Sequence, residues 1–121
     1  MIDHFGINVA DLTASAQFYD TTLAELGFTR QMDFGEAIGY GTEGKPDFWI
    51  SSAAHGASNR EAHIAFSAPD RERVRAFFAA AVKAGADVLH EPREWPEYHP
   101  GYFGAFVRDP DGNNVEAVCH R

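Results

Sequence analysis

Apolar and polar positions alternate over residues 2–9, with Phe5, Ile7 and Val9 on one side and His4, Gly6 and Asn8 on the other, the period of a half-buried strand. The period then changes. Asp11 suits a helix N-cap, and Leu12, Ala16, Tyr19, Leu23 and Leu26 follow at helical spacings, with Gly27 supplying a left-handed exit. Short strand patterns come next over 28–33, 37–42 and 47–51, divided by Gly35-Glu36 and by Glu43-Gly44-Lys45-Pro46. The first half therefore predicts the order βαβββ.

Residues 52–61 carry no periodicity and read as a linker. A strand then sets Ile64 and Phe66 against His63, Ala65 and Ser67. Pro69-Asp70 opens a second helix with the stripe Val74, Phe77, Phe78, Ala81 and Val82, and Gly85 ends it. A strand over 86–90, a Pro- and aromatic-rich loop over 92–101 and a terminal hairpin complete the chain. The hairpin turns at Asp109-Pro110-Asp111-Gly112, where Pro110 pre-sets φ, Asp109 bonds back to the backbone and Gly112 relieves the exit. Beyond the turn Val115, Ala117 and Cys119 share an apolar face, while Asn114, Glu116, Val118 and His120 point the other way. The second half is again βαβββ.

The halves form an internal repeat. His4 and His63, Asp11 and Asp70, and Phe18 and Phe77 are each 59 residues apart, and the helix-ending Gly27 and Gly85 are 58 apart. This predicts an α+β domain over 1–121 made of two modules, about 1–52 and 62–121. Two curved sheets would lie side by side, each with a helix on its outer, apolar face. His4, His63 and Glu116 would point into the concave cleft between the inner faces.

Alone, Glu116 reads as a residue of a solvated edge strand, and each histidine as a surface or core-satisfied one. Together, at converging strand positions, they make the two-His-one-carboxylate set that holds open-coordination iron, and that also binds catalytic zinc or manganese. Tyr98, His99 and Tyr102 lie in the loop entering the final hairpin, so His99 or a tyrosine can serve as acid/base, line a pocket, or belong to a surface aromatic loop. Trp49, Phe103 and Phe106 either wall a pocket for an apolar or aromatic substrate or pack in the core. His55 and His90 have no partner by spacing and read as surface residues; His120 alternates with Glu116 but sits at the terminus. Cys119 is the only cysteine, so no intrachain disulfide forms, and its apolar face marks a packed thiol. Gly112 directly follows the second Asp of this run and Glu116 comes far too early for a twelve-residue loop, which excludes an EF-hand calcium site.

Composition narrows the partners. A chain of 121 residues with 45% hydrophobic content can bury a core of its own, and a formal charge of −8 argues against nucleic acid and against an anionic membrane surface. No apolar run approaches a membrane span and no basic leader opens the chain, so a cytoplasmic location is expected.

The run HFGINVADLTASAQFY ending in LGF, its echo HIAF, and the closing DPDGNNVE resemble the vicinal oxygen chelate superfamily across essentially the whole chain. That superfamily includes glyoxalase I, extradiol dioxygenases, fosfomycin-resistance transferases and bleomycin-binding proteins. The resemblance implies paired βαβββ modules, a homodimer, and a divalent ion (Fe, Mn, Ni or Zn) on residues matching His4, His63 and Glu116. It also implies a small substrate chelated through neighbouring oxygens, with Glu116, His99 and Tyr102 as catalytic candidates and Trp49, Tyr98 and Phe106 lining the pocket. Its bleomycin-binding members imply the alternative of a metal-free sequestering binder. Glyoxalase I has a further glutamate ligand on the last strand of its first module; Asp47-Phe48-Trp49-Ile50-Ser51 has none. Its absence points away from lactoylglutathione lyase chemistry. Only Asp47, near the strand end, could reach inward.

Overall fold

The computed structural model describes residues 2–52 and 61–121, so His55 and most of the expected linker lie outside the described residues. Its elements are β1 (Phe5–Val9), α1 (Leu12–Ala24), β2 (Thr29–Asp33), β3 (Ala37–Thr42), β4 (Lys45–Ser52), β5 (His63–Ser67), α2 (Arg71–Lys83), β6 (Val88–Glu94), β7 (Phe103–Arg108) and β8 (Asn114–Cys119). They form two open, mixed sheets ordered β1-β4-β3-β2 and β5-β8-β7-β6. Each is one βαβββ module whose first strand lies parallel to its last.

The repeat extends to hydrogen bonds. Asp11 and Asp70 both have extended backbones and cap their helices, accepting from Ala14 N–H at 3.1 Å and Arg73 N–H at 2.8 Å. Gly27 and Gly85 leave the helices at φ of 90° and 87°, the left-handed region that glycine enters without steric cost.

One buried cluster draws on both modules: Tyr19, Leu23 and Ile50 from the first, Val74, Phe77, Val107 and Val115 from the second. Phe48 meets Phe66 edge-to-face at 5.2 Å, joining the sheets. Cys119 lies in this cluster, the packed thiol expected. Among the described residues no helix is long and apolar enough to cross a membrane.

β8 lies inside its sheet, between β5 and β7, and Glu116 is 1% exposed, which removes the solvated-edge alternative. One strand expectation changes. β6 does not stop at His90 but continues through Pro92 to Glu94. Register shifts on either side of His90 break the alternation that a sequence reading follows, and an edge strand tolerates a proline.

Candidate metal centre

The parallel pairing of β5 with β8 sets His63 against Asn114 and Ala65 against Glu116. His63 Nδ1 lies 3.2 Å from the Asn114 carbonyl, which can only accept, so this nitrogen carries the proton and Nε2 presents a lone pair. That lone pair faces Glu116 Oε1 at 3.1 Å. Two acceptors in such contact repel unless a positive centre, a proton or a metal ion, lies between them. The other carboxylate oxygen, Oε2, accepts a short hydrogen bond from the Tyr102 hydroxyl.

Local structure holds this arrangement. Trp95 N–H donates to the Tyr102 carbonyl at 2.8 Å and Trp95 Nε1 to the Gly104 carbonyl at 3.0 Å, closing the loop so that Tyr102 covers the carboxylate. A Cβ at Gly104 would stand 3.0 Å from Glu116 Oε2, so glycine there leaves room for the acid. Burial raises the Glu116 pKa above the ordinary carboxylate value, against the opposing effect of the Tyr102 hydrogen bond. Desolvation, followed by the bond to Glu116, likewise raises the Tyr102 pKa.

Aromatic and imidazole rings surround the pair. Phe106 stacks on His63 with centroids 6.0 Å apart, and His90 meets both Trp95 and Phe106 edge-on. Tyr98 packs on Trp95 and Tyr102. His99 directs Nδ1 to the Pro100 carbonyl at 2.8 Å, so its Nε2 accepts from His120 Nδ1 at 2.9 Å. Sequence reading gave His90 and His120 little weight, yet both join this cluster. Alternation with Glu116 was the available signal for His120; for His90 the bulges in β6 hid it.

His4 stands apart. It precedes β1 and donates from Nδ1 to Asp3 Oδ1 at 2.8 Å, which leaves the lone pair on Nε2. It lines an open cavity of about 580 Å³ in the first module with Gly6, Met32, Lys45, Trp49 and Ser51. Trp49 has Phe34 as its ring partner, rather than the loop that carries Tyr98. Asp47 is exposed and paired with Lys45. Among the described residues no group of three or more His, Cys, Asp and Glu side chains is placed to hold one metal ion. His63 with Glu116, and His4 beside Trp49, thus occupy separate places.

The fit to a divalent ion is therefore partial within one chain. His63 and Glu116 offer a nitrogen and an oxygen facing one point, each fixed by a further hydrogen bond, as ligating imidazoles and carboxylates require. A third protein donor must come from outside this pair.

The family model for the Glyoxalase/Bleomycin resistance protein/Dioxygenase superfamily matches residues 1–117. The chain belongs to this superfamily. Among solved structures it is similar to a glyoxalase/bleomycin resistance protein from Albidiferax ferrireducens T118, at 28% identity and a TM-score of 0.84, with 96% of each chain covered. It also shares its fold with a lactoylglutathione lyase from Agrobacterium tumefaciens, at 21% identity and a TM-score of 0.70 over 98% of this chain and 92% of that one. A glyoxalase/bleomycin resistance protein/dioxygenase family enzyme from Burkholderia phytofirmans PsJN matches at 19% identity and a TM-score of 0.75, covering 99% and 98%. No curated protein matches the chain. Superfamily membership agrees with the paired βαβββ modules.

Proposed function

We propose that this protein is a metal-dependent enzyme that chelates neighbouring oxygens of a small substrate. It would act as a homodimer in which His4 of the partner subunit completes the site begun by His63 and Glu116. The observation that carries this reading is the 3.1 Å approach of His63 Nε2 to Glu116 Oε1, two acceptors that call for a cation between them. His4 supports it, since its second nitrogen is held by Asp3 in the same manner. A bound Fe, Mn, Ni or Zn ion would supply Lewis-acid stabilisation of negative charge developing on substrate oxygen. His63 and Glu116 would hold it; Tyr102, on the free side of the carboxylate, would fix which oxygen faces the ion and move a proton at its hydroxyl. His99, bonded to His120, is a further acid/base group at the rim, and Tyr98 and Phe106 wall the substrate space.

Purification without chelator followed by elemental analysis tests this. About one divalent ion per chain is expected, with His63→Ala weakening its affinity by at least about tenfold while the circular dichroism spectrum stays unchanged. Wild-type protein that neither carries nor takes up any of the four metals would overturn the reading in favour of a sequestering binder.

A further inference from the structure

The turn that enters β7 brings His99 onto His120, just past the end of β8. Gly101 permits the approach: its φ is 86°, and a Cβ there would stand 3.3 Å from the His120 carbonyl oxygen. Tyr102 N–H closes the turn on the His99 carbonyl at 3.3 Å. His99 Nε2 and His120 Nδ1 then lie 2.9 Å apart, with their ring planes 24° from parallel. Among the described residues this is the one place where ring nitrogens of two histidines meet.

One of the two nitrogens is already set as a ligand. His99 Nδ1 donates to the Pro100 carbonyl at 2.8 Å, which fixes the tautomer and keeps the lone pair on Nε2. His120 Nδ1 carries the shared proton. His120 is exposed and its Nε2 has no partner among the described residues, so water can move that proton from Nδ1 to Nε2. The ring stays neutral, and a second lone pair then stands beside the first.

Their separation selects what fits between them. Two nitrogens each about 2.0–2.1 Å from one ion stand about 2.9 Å apart at a right angle and about 3.3 Å apart at a tetrahedral one. The observed 2.9 Å matches the right angle. That geometry belongs to copper(II) and nickel(II) rather than to tetrahedral zinc. Both rings are exposed, so they can pivot to aim at one ion while water fills its other positions. The other described histidines are used differently: His90 packs edge-on against Trp95 and Phe106, His4 is bonded to Asp3, and His63 faces Glu116.

We propose that His99 and His120 form a second metal site, a two-imidazole chelate at the rim for a tetragonal divalent ion such as copper(II) or nickel(II). It has different donors from the His63–Glu116 centre and does not rest on the chelating function proposed for that centre. Tyr102 stands between the two, its hydroxyl on Glu116 and its ring edge-on to both rim imidazoles at 5.3 Å. An ion at the rim therefore staples the loop that carries Tyr102 to the end of β8.

The test uses the full chain without an affinity tag, freed of metal by chelator, with His63→Ala to weaken the inner centre and copper(II) as the probe. One equivalent is expected to give an axial electron paramagnetic resonance spectrum with coupling to two nitrogens. Adding His120→Asn keeps a donor for His99 Nε2 but removes the second imidazole. It should weaken copper binding at least about tenfold and cost one nitrogen coupling, with the circular dichroism spectrum unchanged. His99→Ala should repeat that result, and His90→Ala should alter neither affinity nor spectrum. Equal losses in the His90 and His120 variants, or no loss in either, would mean an adventitious ion on exposed imidazoles, and the proposal fails. A loss confined to only one of His99 and His120 overturns the chelate as well. Because the inner centre is weakened throughout, rim binding is read whether or not His63 and Glu116 hold a metal in wild type.

Discussion

Tyr19 donates its hydroxyl hydrogen to Asp109 across 2.7 Å, tying the helix of the first module to the turn between β7 and β8 of the second. Asp109 also accepts from the backbone N–H of Asp111 and Asn113 and from Asn113 Nδ2, while Asp111 reaches back to Ala10 N–H at 3.1 Å. The segment that reads as a hairpin turn is thus also the clasp between modules.

Tyr19→Phe should destabilise the protein by about 1.5–3 kcal/mol, because it removes a neutral donor from a buried carboxylate. Desolvation, followed by the nearby Asp109 charge, raises the Tyr19 pKa well above its ordinary value. The folded state therefore holds this proton more tightly than the unfolded one, so its contribution is present below about pH 10 and is lost as pH rises beyond it. Denaturant melts between pH 8 and 11 should show a steeper alkaline loss in wild type than in Tyr19→Phe. Parallel curves would refute the assignment.

Glu116→Gln should have opposite effects on stability and on metal binding. Because burial raises its pKa, ionised Glu116 costs stability once pH exceeds the unfolded value, and the cost grows as pH climbs toward the folded value. In metal-free protein the glutamine variant should melt higher than wild type at neutral pH, the gap closing below about pH 4.5, the ordinary value for this group. Its metal affinity should fall together with the lost charge. Equal melting temperatures at pH 7 would show that the carboxylate is not strained.

Mixed dimers test whether the centre is shared between copies. His4→Ala and Glu116→Gln chains should each bind metal poorly alone. Unfolded together and refolded at equal ratio, random pairing makes half the dimers mixed, and each mixed dimer has one site with both defects and one with none. About one quarter of sites should then bind normally. No recovery, in a preparation shown to have exchanged chains, would mean that each copy builds its own site.

The βαβββ order, both helix caps, the repeat and the packed thiol were legible in the sequence because each depends on local chemistry: side-chain period, an Asp before a helix, a Gly after it. Alternation set His4, His63 and Glu116 on strand faces expected to share one cleft; of these the strand pairing brings His63 to Glu116, while His4 stands apart. Sheet pairing decided the rest. Alternation gives the face a residue occupies but not the strand beside it, so the place of Glu116 in an interior strand, between β5 and β7, came only from the sheet order. That His63 rather than His4 stands beside Glu116 was likewise beyond the sequence, since the two histidines are equivalent in the repeat, and the pairing of β5 with β8 within one sheet decides it.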